Sequence, residues 1–163
     1  MQEATLCYII DDGEVLLIEK RRGLGSGLYN GPGGKLEPGE TPREAIRREV
    51  DEEVGLDVHD PRKLAELSFT HDGDLVLFVH VFRATEYSGK ARQSPEAKPV
   101  WFDRDELPYD EMWEDDYLWL PHVIDGDTLI GEFAFEGGTT LDEADFVEHD
   151  IDLDPDSFNG PPS

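Results

Sequence analysis

Three glutamates with helical spacing are the first residues in this chain that could do chemistry. Glu49, Glu52 and Glu53 stand in the stretch RREVDEEVG, at positions i, i+3 and i+4. On an α-helix this spacing brings three carboxylates to one face, where each like-charged pair costs about 0.2–0.5 kcal/mol. Clustered carboxylates suit a hard cation such as Mg²⁺, whose charge removes the repulsion. The pattern indicates either a metal site or an ordinary solvated acidic face.

The composition makes the acidic face a serious alternative. The 163 residues include 39 Asp and Glu against 14 Lys and Arg, a net charge of −25. This charge opposes binding to nucleic acid or to an anionic membrane, because its long-range field repels both. It is typical of a high-salt cytoplasm, where screening shortens the reach of each charge. We therefore expect a halophilic, cytoplasmic protein, and the glutamates alone do not separate the two interpretations.

The elements that must position these carboxylates follow from the hydrophobic pattern. Thr41 and Glu44 form a capping box with Pro42 at the first helical position, and Gly55 is a typical helix stop. A second, short helix is predicted near 115–123. Strands are predicted at 4–10, 14–20, 64–70, 74–85, 98–102 and 128–136. This mixed order predicts one α+β domain at 1–142, and the acidic, Gly/Pro-rich segment 143–163 is expected to be a poorly ordered tail.

The first helix places its acids beside an apolar stripe. At about 100° per residue, Ile46, Val50 and Val54 share one stripe, and the three glutamates lie next to it. The apolar stripe can dock on a sheet while the acids line the edge of that contact and face a groove. A general acidic bias would scatter acids over the whole polar face instead.

The segment from Gly34 to Leu56, GKLEPGETPREAIRREVDEEVGL, resembles the Nudix box at its defining positions. Gly34 is followed after five residues by Glu40, and the REVDEEVGL end carries the three glutamates. The resemblance implies an α/β/α sandwich with a mixed β-sheet and a loop-helix-loop Nudix box. It also implies Mg²⁺, with Mn²⁺ possible, and hydrolysis of a nucleoside diphosphate linked to another moiety.

The resemblance assigns roles to individual residues. Arg48 would hold Glu49 in position and could form an ion pair with Glu40, and Gly33 would let the backbone approach a ligand and offer a carbonyl. Lys20 matches a family lysine near the phosphates. The implied catalytic residues are Glu49, Glu52, Glu53 and Arg48, and the implied metal ligands are Gly33, Glu49, Glu52, Glu53 and Glu96.

Other stretches are similar to one branch of that family, the MutT-homologue 8-oxo-dGTP diphosphatases. The carrying segments are KRRGLGSGLYNGPGGK, SPEAKPVWF and DEMWEDDYLWLPHVIDGDTLIGEFAF. In that branch an Asn, a Trp and two adjacent Asp surround the purine, which correspond here to Asn30, Trp113, Asp115 and Asp116. The resemblance implies hydrolysis of oxidised purine nucleoside triphosphates to the monophosphate and pyrophosphate, which sanitises the nucleotide pool.

The residue types suit a purine. Trp113 can stack on the ring, and two adjacent carboxylates do not ionise independently, so that one can keep a proton. The pair can then donate and accept. The alternative is that Asp115 and Asp116 are acids at a helix N-terminus, where the dipole favours them. His71, His80, Cys7, Tyr87, Trp101 and Trp119 are assigned to structure rather than to ligand contacts.

The chain departs from that branch at three positions. Leu24 and His71 stand where the branch has aromatic pocket walls, and Tyr29 replaces a Trp beside the pocket asparagine. The substrate is therefore open to alternatives. They are another Nudix substrate, such as ADP-ribose, a dinucleoside polyphosphate or an ordinary nucleoside triphosphate, and a non-catalytic nucleotide-binding module. We expect a monomer with a nucleotide substrate, no nucleic acid and no membrane partner, and a dimer stays open.

Overall fold

One large mixed sheet with a helix on each face makes up the fold. The computed structural model describes residues 1–22 and 26–162. In chain order the elements are β1 (Gln2–Asp11), β2 (Glu14–Lys20), β3 (Tyr29–Asn30), β4 (Gly33–Lys35), α1 (Pro42–Val54), β5 (Asp57–His59), β6 (Arg62–His71), β7 (Asp74–Ala84), β8 (Glu86–Ser88), β9 (Ala97–Asp103), α2 (Asp116–Ile124), β10 (Leu129–Glu136) and β11 (Asp145–Leu153). Each strand and helix predicted from the hydrophobic pattern is present.

The sheet forks at β1, which opens a cleft. The strand order is β11-β10-β6-β7-β1-β2-β3, with β4 beside β1 and β9 beside β2. β1 runs parallel to β7, and β6 runs parallel to β10, while β1 and β2 are antiparallel. On one side the first half of β1 pairs with β4 and its last three residues pair with β2. The mixed sheet and the α/β/α sandwich are thus confirmed.

Alternation along the strands builds two separate cores. Cys7 and Ile9 of β1 point to the face that carries α1, where Ile46, Val50 and Val54 are fully buried. This is the apolar stripe that the sequence predicts. Tyr8 and Ile10 point to the other face, where they belong to the core with Trp119, Leu120 and Val123 of α2. Each large apolar side chain buried in this way stabilises the fold by about 1.5–3 kcal/mol.

The ends of α1 are held by the predicted local contacts. The Thr41 hydroxyl accepts a hydrogen bond from the Glu44 amide at 3.2 Å, and the Glu44 carboxylate accepts one from the Thr41 amide at 3.0 Å. Gly55 ends the helix with φ at +74°, a conformation in which a Cβ would be strained. These contacts fix where the acidic face of α1 begins and ends.

The acidic C-terminal segment is ordered, so the prediction of a poorly ordered tail is wrong for Asp145–Leu153. These residues form β11, which pairs antiparallel with β10 at the edge of the sheet. Phe146 and Ile151 pack against the core and outweigh the local acidity. Acidic side chains on such an edge also oppose pairing with another chain.

The chain beyond β11 packs against charged groups on the face of the sheet that carries α1. The Gly160 amide donates to the buried carboxylate of Glu66 at 2.9 Å, and the Phe158 ring lies 5.1 Å from Nζ of Lys63. Lys63 in turn donates to Glu66 at 2.6 Å. The end of the chain thereby packs over a partly buried ion pair.

Among residues 1–22 and 26–162, no helix is long and apolar enough to cross a membrane.

Candidate active site

The fork beside β1 leads into a cavity of about 360 Å³ that lies between the acidic face of α1 and the start of α2. The cavity brings together residues that are far apart in the sequence. Those predicted as site residues and found in its wall are Lys20, Asn30, Gly33, Glu53, Trp113, Asp115 and Asp116. Of the predicted metal-binding carboxylates, only Glu53 of α1 lines this space with the aromatic and acidic residues at the start of α2; Glu49, Glu52 and Glu96 do not line it.

Gly33 and Gly34 are required by the close approach of β4 to its neighbours. A Cβ on Gly33 would lie 2.0 Å from the Thr5 carbonyl oxygen, and one on Gly34 would lie 2.5 Å from the Glu49 carboxyl carbon. The Gly33 amide donates to Oε1 of Glu53 at 2.7 Å. The glycines thus bring the backbone of β4 against two of the three glutamates.

Arg48 holds the loop and the acidic face of α1 together. Its Nε and Nη2 donate to the two carboxylate oxygens of Glu40 at 2.7 and 2.9 Å, and its Nη1 donates to Glu49 at 2.7 Å. Both expected partners of Arg48 are thus found. The bidentate contact with Arg48 lowers the pKa of Glu40 to about 2. Glu49 is oriented by Arg48 from one side and by Gly34 from the other.

The three glutamates differ in their surroundings. The Glu52 side chain is 58% exposed and accepts from Arg48 Nη1 at 3.2 Å. Glu49 is half-buried, and burial raises the pKa of its carboxyl, an effect that Arg48 opposes. Glu53 is buried. The pKa of Glu53 is raised to about 7, mainly by burial; the Gly33 amide opposes this shift, and the charge of Glu49 adds to it.

Glu96 and Lys20 reach the same site from outside α1. Glu96 is exposed on the loop before β9, yet its charge raises the pKa of both Glu49 and Glu53. Lys20 ends β2, and its charge lowers the pKa of Glu53. Both residues are thus close enough to the acidic face of α1 for their charges to influence its glutamates.

This donor set fits a divalent cation bound mainly through substrate. Among the described residues, no three His, Cys, Asp or Glu side chains converge tightly enough to form a complete metal cage. Mg²⁺ commonly takes only one or two protein carboxylates and fills its other positions with water and phosphate oxygens. Burial is the main cause of the raised pKa of Glu53, and the charges of Glu49 and Glu96 add to it; a nearby cation would favour the ionised carboxylate.

The other end of the cavity is built by two buried aspartates. Asp115 and Asp116 are only 1% and 4% exposed. Asp115 is the N-cap residue of α2 and Asp116 lies in its first turn, which is where the helix-terminus alternative puts them, but the Asp115 side chain makes no hydrogen bond that caps the helix. Burial raises the pKa of Asp115 to about 6, and it raises the pKa of Asp116 together with the charge of Asp115. The pair therefore retains a proton near neutral pH.

Two unsatisfied polar atoms belong to residues of the cavity wall. Nδ2 of Asn30 and Oδ1 of Asp115 are buried and have no hydrogen-bond partner in the described part of the chain. An unsatisfied buried polar group costs about 1–3 kcal/mol, so each is expected to have a function or a missing partner. One is a donor and the other an acceptor, and Trp113 beside them offers an aromatic face. A flat heterocycle with its own donors and acceptors could lie on Trp113 beside both residues, and a small side-chain shift would let it bond to them.

Trp119 is a site residue that the sequence interpretation assigned to packing alone. It is 1% exposed and lines the cavity, and its Nε1 donates to Oδ2 of Asp115 at 2.8 Å. Its position four residues after Asp115 on a helix was the signal that could have revealed this contact. The sequence also missed the apolar cavity walls, which include Leu6, Ile18, Phe69, Leu77, Val79 and Leu141.

Of the three positions at which the sequence departs from the 8-oxo-dGTP diphosphatases, His71, Tyr29 and Leu24, the structure describes the first two. His71 is not among the residues that line the cavity, and its Nε2 contacts the Gly137 carbonyl at 2.7 Å. Tyr29 packs edge-on against Phe102 at 5.2 Å between ring centroids. Leu24 lies outside the described residues. Phe69 provides an aromatic wall in the cavity.

Comparisons with known proteins agree with this geometry. The chain is 42% identical over 149 residues to the oxidized purine nucleoside triphosphate hydrolase of Danio rerio, covering 91% of this chain and 92% of that protein. It is 37% identical over 138 residues to the protein of the same name from Mus musculus, covering 84% and 88%. The crystal structure of a mutator MutT protein from Bacillus halodurans superposes with a TM-score of 0.80 at 32% identity, covering 93% of this chain and 98% of that one.

A protein-family model matches the segment that contains both the Nudix-like motif and most of the sheet. The NUDIX domain model matches residues 1–123, which include the fork, the whole of α1 and the start of α2. The chain therefore belongs to the NUDIX family.

Proposed function

We propose that this protein hydrolyses oxidised purine nucleoside triphosphates, such as 8-oxo-dGTP, to the monophosphate and pyrophosphate with Mg²⁺ or Mn²⁺. The observation that carries the proposal is a single cavity with two chemically distinct ends. One end presents the Glu53 carboxylate and Lys20, and the other presents Trp113 and the buried aspartate pair. Similarity to two oxidized purine nucleoside triphosphate hydrolases supports this assignment.

At the phosphate end, the residues of α1 supply charge and orientation. Arg48 fixes the Glu49 carboxylate, and the Gly33 amide fixes Glu53, so little reorganisation is needed when substrate binds. The protein ligands of Mg²⁺ would be drawn from Glu49, Glu52, Glu53, Glu96 and the Gly33 carbonyl, one or two carboxylates for each ion. The ion would stabilise the charge that develops on the phosphates and activate water. Lys20 would attract the polyphosphate into the cleft, and one of the glutamates would accept a proton from the attacking water.

At the base end, the aspartate pair would read the purine through its shared proton. The protonated member donates a hydrogen bond and the ionised member accepts one, so the pair can match an oxidised purine whose donor and acceptor pattern differs from the parent base. Trp113 would stack on the ring, and the unsatisfied amide of Asn30 would complete the contacts. Trp119 positions Asp115 rather than contacting the reacting atoms.

The expected partners follow from charge. The net charge of −25 favours a free nucleotide over nucleic acid or a membrane as ligand, because polyanions are repelled at long range. We infer a monomer that works in the cytoplasm, in line with the single cysteine, Cys7, which is free and buried.

A nucleotide panel tests the proposal directly. With Mg²⁺ present, pyrophosphate release would be measured from 8-oxo-dGTP, dGTP and ATP. Formation of nucleoside monophosphate would be measured from ADP-ribose and a dinucleoside polyphosphate, whose hydrolysis releases no pyrophosphate. We expect the highest kcat/KM on 8-oxo-dGTP. A higher kcat/KM on one of the other compounds would show that the protein acts on that class of substrate instead. No turnover of any compound would favour a non-catalytic nucleotide-binding module.

A further inference from the structure

A cluster of three arginines lies at the end of the sheet opposite the cavity. Arg62 begins β6, Arg83 is the second-last residue of β7, and Arg104 follows β9. The strand directions bring these three residues to the same end of the sheet, and α2 also ends there. The cluster is unexpected because only 14 of the 163 residues are Lys or Arg.

Arg62 and Arg83 face each other across the ladder. They are direct partners in the antiparallel pairing of β6 and β7, so their side chains leave the same face of the sheet. Partners at such positions have Cβ atoms about 4.5–5.5 Å apart, and like charges there are destabilising. Arg104 reaches the same region through its contact with Asp125, at 2.9 Å from Nη2 to Oδ1.

The positive charge of this cluster is only partly balanced. Burial lowers the pKa of Arg83, the charges of Arg104 and Arg62 lower it further, and Asp125 is the carboxylate that opposes them. Nε of Arg83 is buried without a hydrogen-bond partner among residues 1–22 and 26–162. Three guanidinium groups therefore share one identified carboxylate, in a chain that has 39 acidic residues to offer.

Capping of the helix does not account for the cluster. Cations are favoured near a helix C-terminus, and α2 ends here. Its last carbonyl groups, however, already accept backbone hydrogen bonds: Asp125, Gly126 and Asp127 donate to Pro121, Val123 and His122, respectively. The helix end is satisfied by its own turn, and the Arg83 donor is left over.

We infer that Arg62, Arg83 and Arg104 form a binding site for a phosphoryl oxyanion, separate from the catalytic cavity. Guanidinium groups bind such anions through paired N–H···O contacts, and an anion held by their Nη groups would remove the repulsion among the three arginines. The choice of a phosphoryl anion rests on the proposed function, which consumes triphosphates and releases pyrophosphate. Inorganic phosphate, pyrophosphate and a nucleoside monophosphate share this chemistry.

The test is the melting temperature of the full-length protein in EDTA, at constant ionic strength, as potassium phosphate replaces potassium chloride. At ten times Kd, we expect phosphate to raise the melting temperature by roughly 3–5 °C. Arg62→Gln and Arg83→Gln should abolish this rise, while Lys20→Gln, in the catalytic cavity, should retain it. Without phosphate, Arg62→Gln should melt no lower than wild type, because it relieves repulsion.

Controls and alternative anions make the result decisive. Arg47→Gln removes an exposed arginine of α1 that pairs with Asp57, and it should keep the full response to phosphate. Titrations with pyrophosphate and with GMP identify which source of phosphoryl oxygens binds most tightly. Absence of any rise, or a rise lost in Lys20→Gln and kept in Arg83→Gln, would overturn the site. If Arg83→Gln does not fold, Arg104→Gln gives the same comparison.

The outcome is independent of turnover. Arg62→Gln should keep kcat/KM on 8-oxo-dGTP within about twofold of wild type. If no nucleotide is hydrolysed but phosphate still stabilises the wild type and not Arg83→Gln, the anion site stands and the proposed function fails.

Discussion

Both ends of the cavity carry clustered carboxyl groups, but their negative charge is neutralised in different ways. At the phosphate end, Glu49 is held by Arg48, and Glu53 is held by the Gly33 amide, which leaves negative charge that a cation can compensate. At the base end, Asp115 and Asp116 are buried beside each other, and a proton takes the place of the cation. Surroundings rather than residue type decide which role a carboxylate takes.

This difference follows from access to solvent and to backbone donors. A partly open glutamate cluster can exchange a metal and its waters with solvent. A pair of carboxylates more than 95% buried cannot both ionise without a large desolvation cost, so it binds a proton instead. The phosphate end should therefore control the rate for every substrate, and the base end should control the choice among substrates.

The largest effect is expected at the phosphate end. Glu53→Gln keeps the size of the side chain but removes its charge, and we expect kcat to fall at least about a hundredfold, the scale for a lost charge-stabilising or acid–base group. Steady-state pyrophosphate release at saturating Mg²⁺ measures it. Asp51→Asn, an exposed acid on the same helix, is the matched control and should stay within about twofold of wild type. Near wild-type turnover of Glu53→Gln would contradict a catalytic role for the acidic face of α1.

A smaller effect is expected at the base end. Asp116→Asn replaces a group that can share a proton with a fixed amide, and an unpaired buried polar contact costs about 1–3 kcal/mol. We expect kcat/KM on 8-oxo-dGTP to fall roughly tenfold or more, and Asp115→Asn should act in the same direction. Mg²⁺ binding, measured by calorimetry, should be unchanged. Asp110→Asn, which is exposed in the turn before α2, is the control. An equal loss of kcat/KM in that variant would mean that removing any acid near the start of α2 has this effect, and that proton sharing is not its cause.

The shared proton of the aspartate pair should also make the free energy of unfolding depend on pH. The pKa of Asp115 is raised to about 6 and that of Asp116 is also raised, so their protonated forms stabilise the folded state. That stability is fully present below about pH 4 and is lost as pH rises through 6 and above. As pH rises from 5 to 8, the stability of Asp116→Asn should therefore rise relative to wild type, because the variant has no buried carboxyl at position 116 to ionise. Denaturant unfolding at several pH values would show this, and a constant difference would contradict the shared proton.

The smallest effect, on stability, is expected at exposed surface carboxylates, whose repulsion is relieved neither by a bound cation nor by a proton. Glu132 and Asp150 are exposed and lie opposite each other in the β10–β11 ladder. Only salt can screen such a pair, and with a net charge of −25 we expect the melting temperature to rise from dilute buffer to molar KCl. Glu132→Gln should gain about 0.2–1 kcal/mol in dilute buffer and nothing in molar KCl. A salt-independent melting temperature of the wild type would reject the halophilic interpretation.

Local features were predictable from the sequence, and features that depend on distant pairing were not. The capping box, the Gly55 stop and the contacts of Arg48 depend on residues close in the sequence, so their spacing was enough. The fork at β1 and strand β11 depend on pairing between distant segments, which composition cannot show. The acidity of 143–163 suggested disorder, whereas Phe146 and Ile151 pack it against the core.

The same limit applies within the site. Family resemblance placed Asn30, Trp113 and the two aspartates together, and the structure brings them into one cavity. The hydrogen bond from Trp119 to Asp115 was missed because a tryptophan on an apolar helix face usually packs without a polar partner. The arginine cluster was missed because Arg62 and Arg83 are 21 positions apart and meet only through strand register.

The ratio of kcat/KM on 8-oxo-dGTP to that on dGTP, measured for wild type, Glu53→Gln and Asp116→Asn, tests the separation of the two ends most directly. We predict that Glu53→Gln lowers both values together and leaves the ratio within about twofold of wild type. Asp116→Asn should lower the ratio several-fold while dGTP turnover falls less. A ratio that collapses in Glu53→Gln, or one that Asp116→Asn leaves unchanged, would contradict the assignment of rate to the α1 carboxylates and of base choice to the buried pair.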